Sequence, residues 1–295
     1  VLRALLQATR PLAHANVAPP ILYGQALAYA MTGAFSWRAL ALAQIFGLVD
    51  HLFIVFANDF ADREADARND GFNAFSGGSR VLPEGRLAPR VILGLAIACS
   101  IVLVAGTIPF ALERPLLPVL ACAAIALMVM YSYPPLALSY RGGGEWLQAI
   151  GVGLVLPLVG FHAQEPSLRA IPWLALVPTI VLGLAGNVLT ALPDEPADRA
   201  TSKRTWAVRR GVPRAARDLV ALVALAIVLG GIVLPFPTHL ARVVATALPL
   251  GVLGASLPLL PREVMRRSEL LVFMIVAGAA STGALVAWTI ALACG

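Results

Sequence analysis

The chain has 295 residues, of which 59% are hydrophobic and 13% charged, and its mean hydropathy is +0.82. A soluble domain is about one-quarter charged, so an ordinary water-soluble globule is excluded. The formal charge of +6 does not point to nucleic acid, because the basic residues are spread from loop to loop and no single element is basic.

The N-terminal stretch Val1–Ala18 carries Arg3, Arg10 and Pro11. It lacks the unbroken apolar core of a signal peptide and is read as an interfacial lead-in. Nine apolar segments follow, at 17–34, 39–57, 90–110, 115–132, 146–162, 171–192, 215–234, 240–260 and 270–293. Each is close to the roughly 20 residues that cross a hydrocarbon core as a helix. The expected fold is therefore an all-α integral membrane protein of nine transmembrane helices in a lipid bilayer, with residues 1–295 forming one domain. Cys99, Cys122 and Cys294 lie far apart in apolar segments and read as small hydrophobes. His14, His162 and His239 fall near segment ends, and no histidine cluster suggests zinc. The N-terminus and the loops after the second, fourth, sixth and eighth segments carry 18 of the 22 Lys and Arg. The positive-inside rule places that face in the cytoplasm.

Two connections are both long and charged, at about 58–89 and about 193–214. The first begins Asn58-Asp59-Phe60-Ala61-Asp62-Arg63-Glu64-Ala65-Asp66 and directly continues the second segment. On a helix, Asp59, Asp62 and Asp66 fall within about 60° of one another. The second runs from Asp194 through Asp198 to Lys203, with Asn187 seven residues before Asp194, again about 20° away if the helix is regular. Pro193 and Pro196 interrupt it, so a break near Asp194 is expected, with Asp194 capping a short new helix that runs toward Lys203. This recurrence suggests two pseudo-repeated four-helix halves plus a ninth helix.

Carboxylates at such spacing repel one another and are costly near a bilayer, so a cation is expected between them. Magnesium suits the oxygen ligands and is commonly held by one or two carboxylates together with substrate phosphates. Lys203 is the single lysine beside 21 arginines, and a compact ammonium suits a phosphate oxygen. Asp50 and His51 lie inside the second segment, where ionisable side chains either line a cavity or bond between helices. Tyr131, Tyr133 and Tyr140 flank Pro134-Pro135. They read either as interfacial aromatics or as π faces that steady a cation.

These motifs resemble the UbiA superfamily of intramembrane prenyltransferases, whose signatures are NDxxDxxxD after the second helix and DxxxD with a following GKRT-like stretch after the sixth. The 1,4-dihydroxy-2-naphthoate branch is the most similar, through Arg10-Pro11, Pro19-Pro20 and Gly24, through Gly77-Gly78-Ser79-Arg80-Val81-Leu82, and through Tyr131 to Glu145. Ser202 stands where the family usually has Gly, and Pro193 where the branch often has Arg.

Carried over, the resemblance implies nine helices around a central cavity that opens to lipid. It implies that Asn58, Asp59, Asp62, Asp66, Asp194 and Asp198 hold magnesium and diphosphate, with Asp62, Asp66 and Asp198 closest to the chemistry. Arg80, Lys203 and Arg141 would face diphosphate oxygens, Arg141 being also the candidate for an acceptor carboxylate, and Tyr131 and Asn187 would touch substrate. The expected partners are a polyprenyl diphosphate and a hydroxylated aromatic acceptor of quinone biosynthesis, in a bacterial or archaeal cytoplasmic membrane. The rival activities are a UbiA-type terpene cyclase, which needs no acceptor, and more remotely a transporter built from repeated halves.

Overall fold

The computed structural model describes residues 1–68, 78–263 and 266–294. Among these the chain is all helical: α1 Leu2–Ala8, α2 Ala18–Thr32, α3 Trp37–Ala67, α4 Pro89–Thr107, α5 Leu116–Ser132, α6 Leu138–Arg141 and α7 Gly144–Ile150. There follow α8 Leu156–Gln164, α9 Val177–Ala191, α10 Glu195–Ala200, α11 Trp206–Arg210, α12 Val212–Val233, α13 His239–Gly254 and α14 Arg267–Ala293. Lipid dictates this outcome, because a helix satisfies its own backbone polar groups where no water can.

Seven helical stretches among the described residues are long and apolar enough to cross a membrane. Two of the nine expected crossings fall short of that length: α2 has 15 residues and α5 has 17. Prolines and a glycine trim them. Pro19 and Pro20 fill the first turn of α2 and Gly33 ends it at φ +69°, while α5 starts after Pro115 and stops before Pro134. Elsewhere the helices turn apolar side chains outward, as Ile97, Ile101, Ile232, Leu248, Ile275 and Ile290 show. An apolar surface of this extent suits lipid tails and not water.

Without a hydrophobic drive between helices in lipid, close backbone packing holds the bundle together. Gly153 shows how tight it is. A Cβ there would stand 2.4 Å from Thr179 O, and the Thr179 hydroxyl donates to Gly153 O at 2.6 Å. Gly153 lies in a π-turn, Gly151–Val155, that joins α7 to α8, and such bulges inside helices are frequent at functional sites. His162, placed by its sequence near a span end, is fully buried. Its Nε2 accepts from the amide of Leu116 at 3.1 Å and so caps α5.

The second segment does run unbroken into its acidic motif, since α3 continues from Ser36, whose Oγ caps it, to Ala67. The sixth breaks after Ala191 and restarts at Glu195. Asp194 takes the N-cap position there, but contrary to expectation its side chain makes no capping bond to α10.

Candidate active site

One cavity of about 470 Å³ opens at the end of the bundle where α3 stops and α10 begins. Its polar rim includes Asn58, Asp62 and Asp66 from α3 and Asn187, Asp194, Asp198 and Lys203 from the second acidic segment. Its walls are apolar, with Ile54, Val55, Leu127, Met128, Val152 and Leu156.

Lys203 joins the two segments. Its Nζ lies 2.9 Å from Asp62 Oδ2 and 5.1 Å from the Tyr140 ring centroid. Its position is set by its own segment: the Lys203 amide donates to Asp198 O at 2.8 Å, and the Thr205 hydroxyl donates to Asp198 Oδ2 at 3.1 Å. Burial alone would pull the ammonium down, but the Asp62 carboxylate, with smaller help from Tyr131, Asp198 and Tyr140, holds it above its usual range. Asp62 also accepts from Asn58 Nδ2 at 2.9 Å and from the Tyr140 hydroxyl at 3.1 Å. Burial, then the Asp62 charge, pushes Tyr140 up to about 12. Asp198 is pushed up to about 7, first by burial and then by Asp194, against the opposing pull of Lys203. At Asp198, burial and the neighbouring carboxylates thus outweigh the pull of Lys203.

Among the described residues no three His, Cys, Asp or Glu side chains close around one point. Carboxylates that instead line a cavity in pairs fit magnesium, which takes one or two protein carboxylates and completes its octahedron with water and phosphate.

Several expected residues sit elsewhere. Asp59, about 60° around the helix from Asp62, turns away from the cavity. It is 3% exposed, lies 3.1 Å from Arg10 Nη2, and accepts from the Ser79 amide at 3.2 Å and from the Ser79 hydroxyl. Asp59 thus anchors the N-terminal lead-in and the loop after α3. Arg80 is also outside the cavity lining: its Nη1 donates to Asp66 O at 2.5 Å and its Nε lies 3.9 Å from Glu84. Gly77 falls outside the described residues, but Gly78 shows why that loop needs glycine. It has φ +70°, and a Cβ would stand 2.1 Å from Asp66 Oδ2. Arg141 is exposed and does not line the cavity, because α6 ends there and Gly142, at φ +88°, turns the chain away. Tyr131 does line it.

Sequence reasoning missed Arg10 and Gln148. Arg10 lines the cavity, as Lys203 does. The signal was the Arg-Pro step, where Arg10 takes φ +43° and its guanidinium reaches Asp59 of α3. Gln148 accepts from Asn187 Nδ2 at 2.6 Å, a contact that requires α7 and α9 to be adjacent. Asp50 and His51 both line the cavity deeper along α3.

An apolar helical bundle whose carboxylates gather on one cavity is the architecture of an integral membrane enzyme. The chain belongs to the UbiA prenyltransferase family, whose model matches residues 17–259. It is 27% identical over 225 residues to the 1,4-dihydroxy-2-naphthoate octaprenyltransferase of Bacillus subtilis, covering 75% of this chain and 70% of that one. It is 28% identical over 174 residues to the 4-hydroxybenzoate octaprenyltransferase of Aromatoleum aromaticum, a match that covers 55% of each chain. The fold is similar to that of a UbiA homolog from Archaeoglobus fulgidus bound to GPP and Mg2+, with a TM-score of 0.67 at 18% identity over 99% of this chain and 100% of that one.

Proposed function

We propose that this prenyltransferase moves a prenyl chain from a polyprenyl diphosphate to a hydroxylated aromatic acceptor inside the membrane, with magnesium bound between its two acidic segments. The observation that carries the reading is the convergence of Asp62, Asp66, Asp194 and Asp198 on one cavity, bridged by Lys203 at 2.9 Å from Asp62. The two octaprenyltransferase relatives support an aromatic acceptor.

In this reading Asp62, Asp66, Asp194 and Asp198 would hold magnesium, while Asn58 and Asn187 hydrogen-bond at the rim. Bound magnesium supplies neutralisation of the charge that grows on the diphosphate as the C–O bond breaks. Lys203 moves from Asp62 to a diphosphate oxygen, which exchanges one charge-assisted hydrogen bond for another. Tyr131 presents its π face to the allylic cation left behind. The apolar walls hold the prenyl chain and keep water from the cation. Asp59 and Arg80 act indirectly, by fixing the loop that closes over Asp66.

The same reading has the chain cross the membrane nine times as one domain. α2 and α5 are counted as spans, and two related four-helix halves each end in an acidic segment on the cytoplasmic face. Cysteines introduced at Gly85 and Ala200 are expected to react from that face, and one at Pro166 from the opposite one.

The activity is tested by supplying purified protein with geranylgeranyl diphosphate and magnesium, with and without 1,4-dihydroxy-2-naphthoate or 4-hydroxybenzoate. Product that requires an acceptor supports the proposal. A cyclic hydrocarbon formed without one would assign the protein to the terpene cyclases instead.

A further inference from the structure

Among the described residues, Asp50 is the one acidic residue of the cavity wall for which the diphosphate site has no use. It lies eight residues before Asn58 on α3, about 12 Å deeper along the helix axis, and lines the cavity together with the apolar Val17, Ile54 and Val55. Its side chain is 2% exposed, and its Oδ1 is buried without a hydrogen-bond partner among the described residues. A carboxyl group left unpaired at such depth is costly unless something in the cavity meets it.

Its neighbour narrows what that can be. His51 Nε2 lies 2.7 Å from the carbonyl oxygen of Thr9, and a carbonyl can only accept, so Nε2 carries the hydrogen and the other ring nitrogen of a neutral imidazole is an acceptor. The ring is fixed edge-on by His14, at 5.2 Å between centroids. The Asp50 carboxyl keeps an accepting oxygen in either protonation state, so this wall offers hydrogen-bond acceptors to the cavity, and a ligand that brings donors satisfies it. A prenyl tail has none, and an ionised diphosphate carries only acceptors. A hydroxylated ring has what is needed.

We propose that Asp50 accepts a hydrogen bond from the hydroxyl group of the aromatic acceptor, with His51 beside it, and so makes hydroxylation a condition of binding. The assignment rests on the transferase reading above and concerns only its acceptor side. Asp50 is a specificity-determining residue in the apolar part of the cavity, separate from the carboxylates of the rim.

The test compares acceptor pairs that differ in their hydroxyls, 4-hydroxybenzoate against benzoate and 1,4-dihydroxy-2-naphthoate against 2-naphthoate. Equilibrium binding is measured on the wild type, Asp50→Asn and Asp50→Ala, with magnesium-dependent geranyl diphosphate binding as the control. Wild type is expected to prefer the hydroxylated member by about tenfold or more, because a site built to bond a hydroxyl rejects the analogue that lacks it. Asp50→Ala is expected to bring that ratio near one, with Asp50→Asn in between and geranyl diphosphate affinity unchanged in both. A hydroxyl preference that survives in Asp50→Ala would overturn the assignment. So would loss of geranyl diphosphate binding in both variants, which would make Asp50 a residue of the fold. Wild-type protein that forms cyclic product and binds neither acceptor would overturn the transferase reading as well, and is told apart by that product.

Discussion

The two acidic segments reach the same cavity by different means. In α3 the carboxylates ride on an unbroken helix from Trp37 to Ala67, so helical register alone decides that Asp62 and Asp66 face inward while Asp59 turns to Arg10. In the second segment the helix stops at Ala191, Pro193 and Pro196 flank the restart, and Ser202 adopts φ +62° to bring Lys203 back. There, hydrogen bonds to Asp198 set the geometry in place of register. The comparison teaches that one half of this site is as firm as its helix, whereas the other depends on a few local bonds.

The largest effects should come from the inward carboxylates. Asp62→Ala and Asp198→Ala are each expected to lower kcat/KM on the order of 10²–10³-fold, comparable to removing a group that stabilises developing charge. Near-normal turnover by Asp198→Ala beside a dead Asp62→Ala would show that the second segment is not part of the site. Next comes the residue that joins the halves. Replacing Lys203 by Met should weaken geranyl diphosphate binding by about 1.5–3 kcal/mol, the worth of a charge-assisted hydrogen bond, while Lys203→Arg keeps part of it. Equal affinities for wild type and Lys203→Met, measured by titration, would remove Lys203 from the diphosphate.

Gly78→Ala probes the firmer half through its covering loop. A Cβ at φ +70° and 2.1 Å from Asp66 Oδ2 should cost about 1–3 kcal/mol in backbone strain, seen as a lower Tm and a higher KM for the diphosphate. An unshifted Tm would mean that the loop does not lock Asp66. The smallest effect belongs to Pro196, which sits in the first turn of α10. Pro196→Ala removes only a local stiffener and should change stability by about 0.4–1 kcal/mol, with kcat barely altered. A large drop in kcat would instead show that this proline positions Asp198.

The same contrast explains what could be read from the residues alone. Asp62 and Asp66 were legible because a 3.6-residue period persists through α3, and Lys203 stood out as the lone lysine of an arginine-rich chain. Asp59 was assigned to the metal because periodicity gives a face to within tens of degrees, and only the arrival of Arg10 and Ser79 shows which side of that face is occupied. Arg141 looked well placed as the only basic residue between Arg114 and Arg169, but the turn at Gly142 leaves it outside. Arg10 and Gln148 were invisible as site residues because their roles depend on neighbours 49 and 39 residues away, the Asp59 and Asn187 contacts. The expected segments 17–34 and 115–132 match α2 and α5 to within two residues, although both helices are shorter than the other crossings.

The central claim is that both acidic segments act on one bound diphosphate, and a double-mutant cycle tests it most directly. Magnesium-dependent binding of geranyl diphosphate is measured for wild type, Asp62→Asn, Asp198→Asn and the double variant. Residues that share a ligand couple by about 0.5–3 kcal/mol, so the double variant should lose clearly less than the sum of the two single losses. Losses that add within about 0.3–0.5 kcal/mol, the behaviour of independent sites, would contradict a shared site.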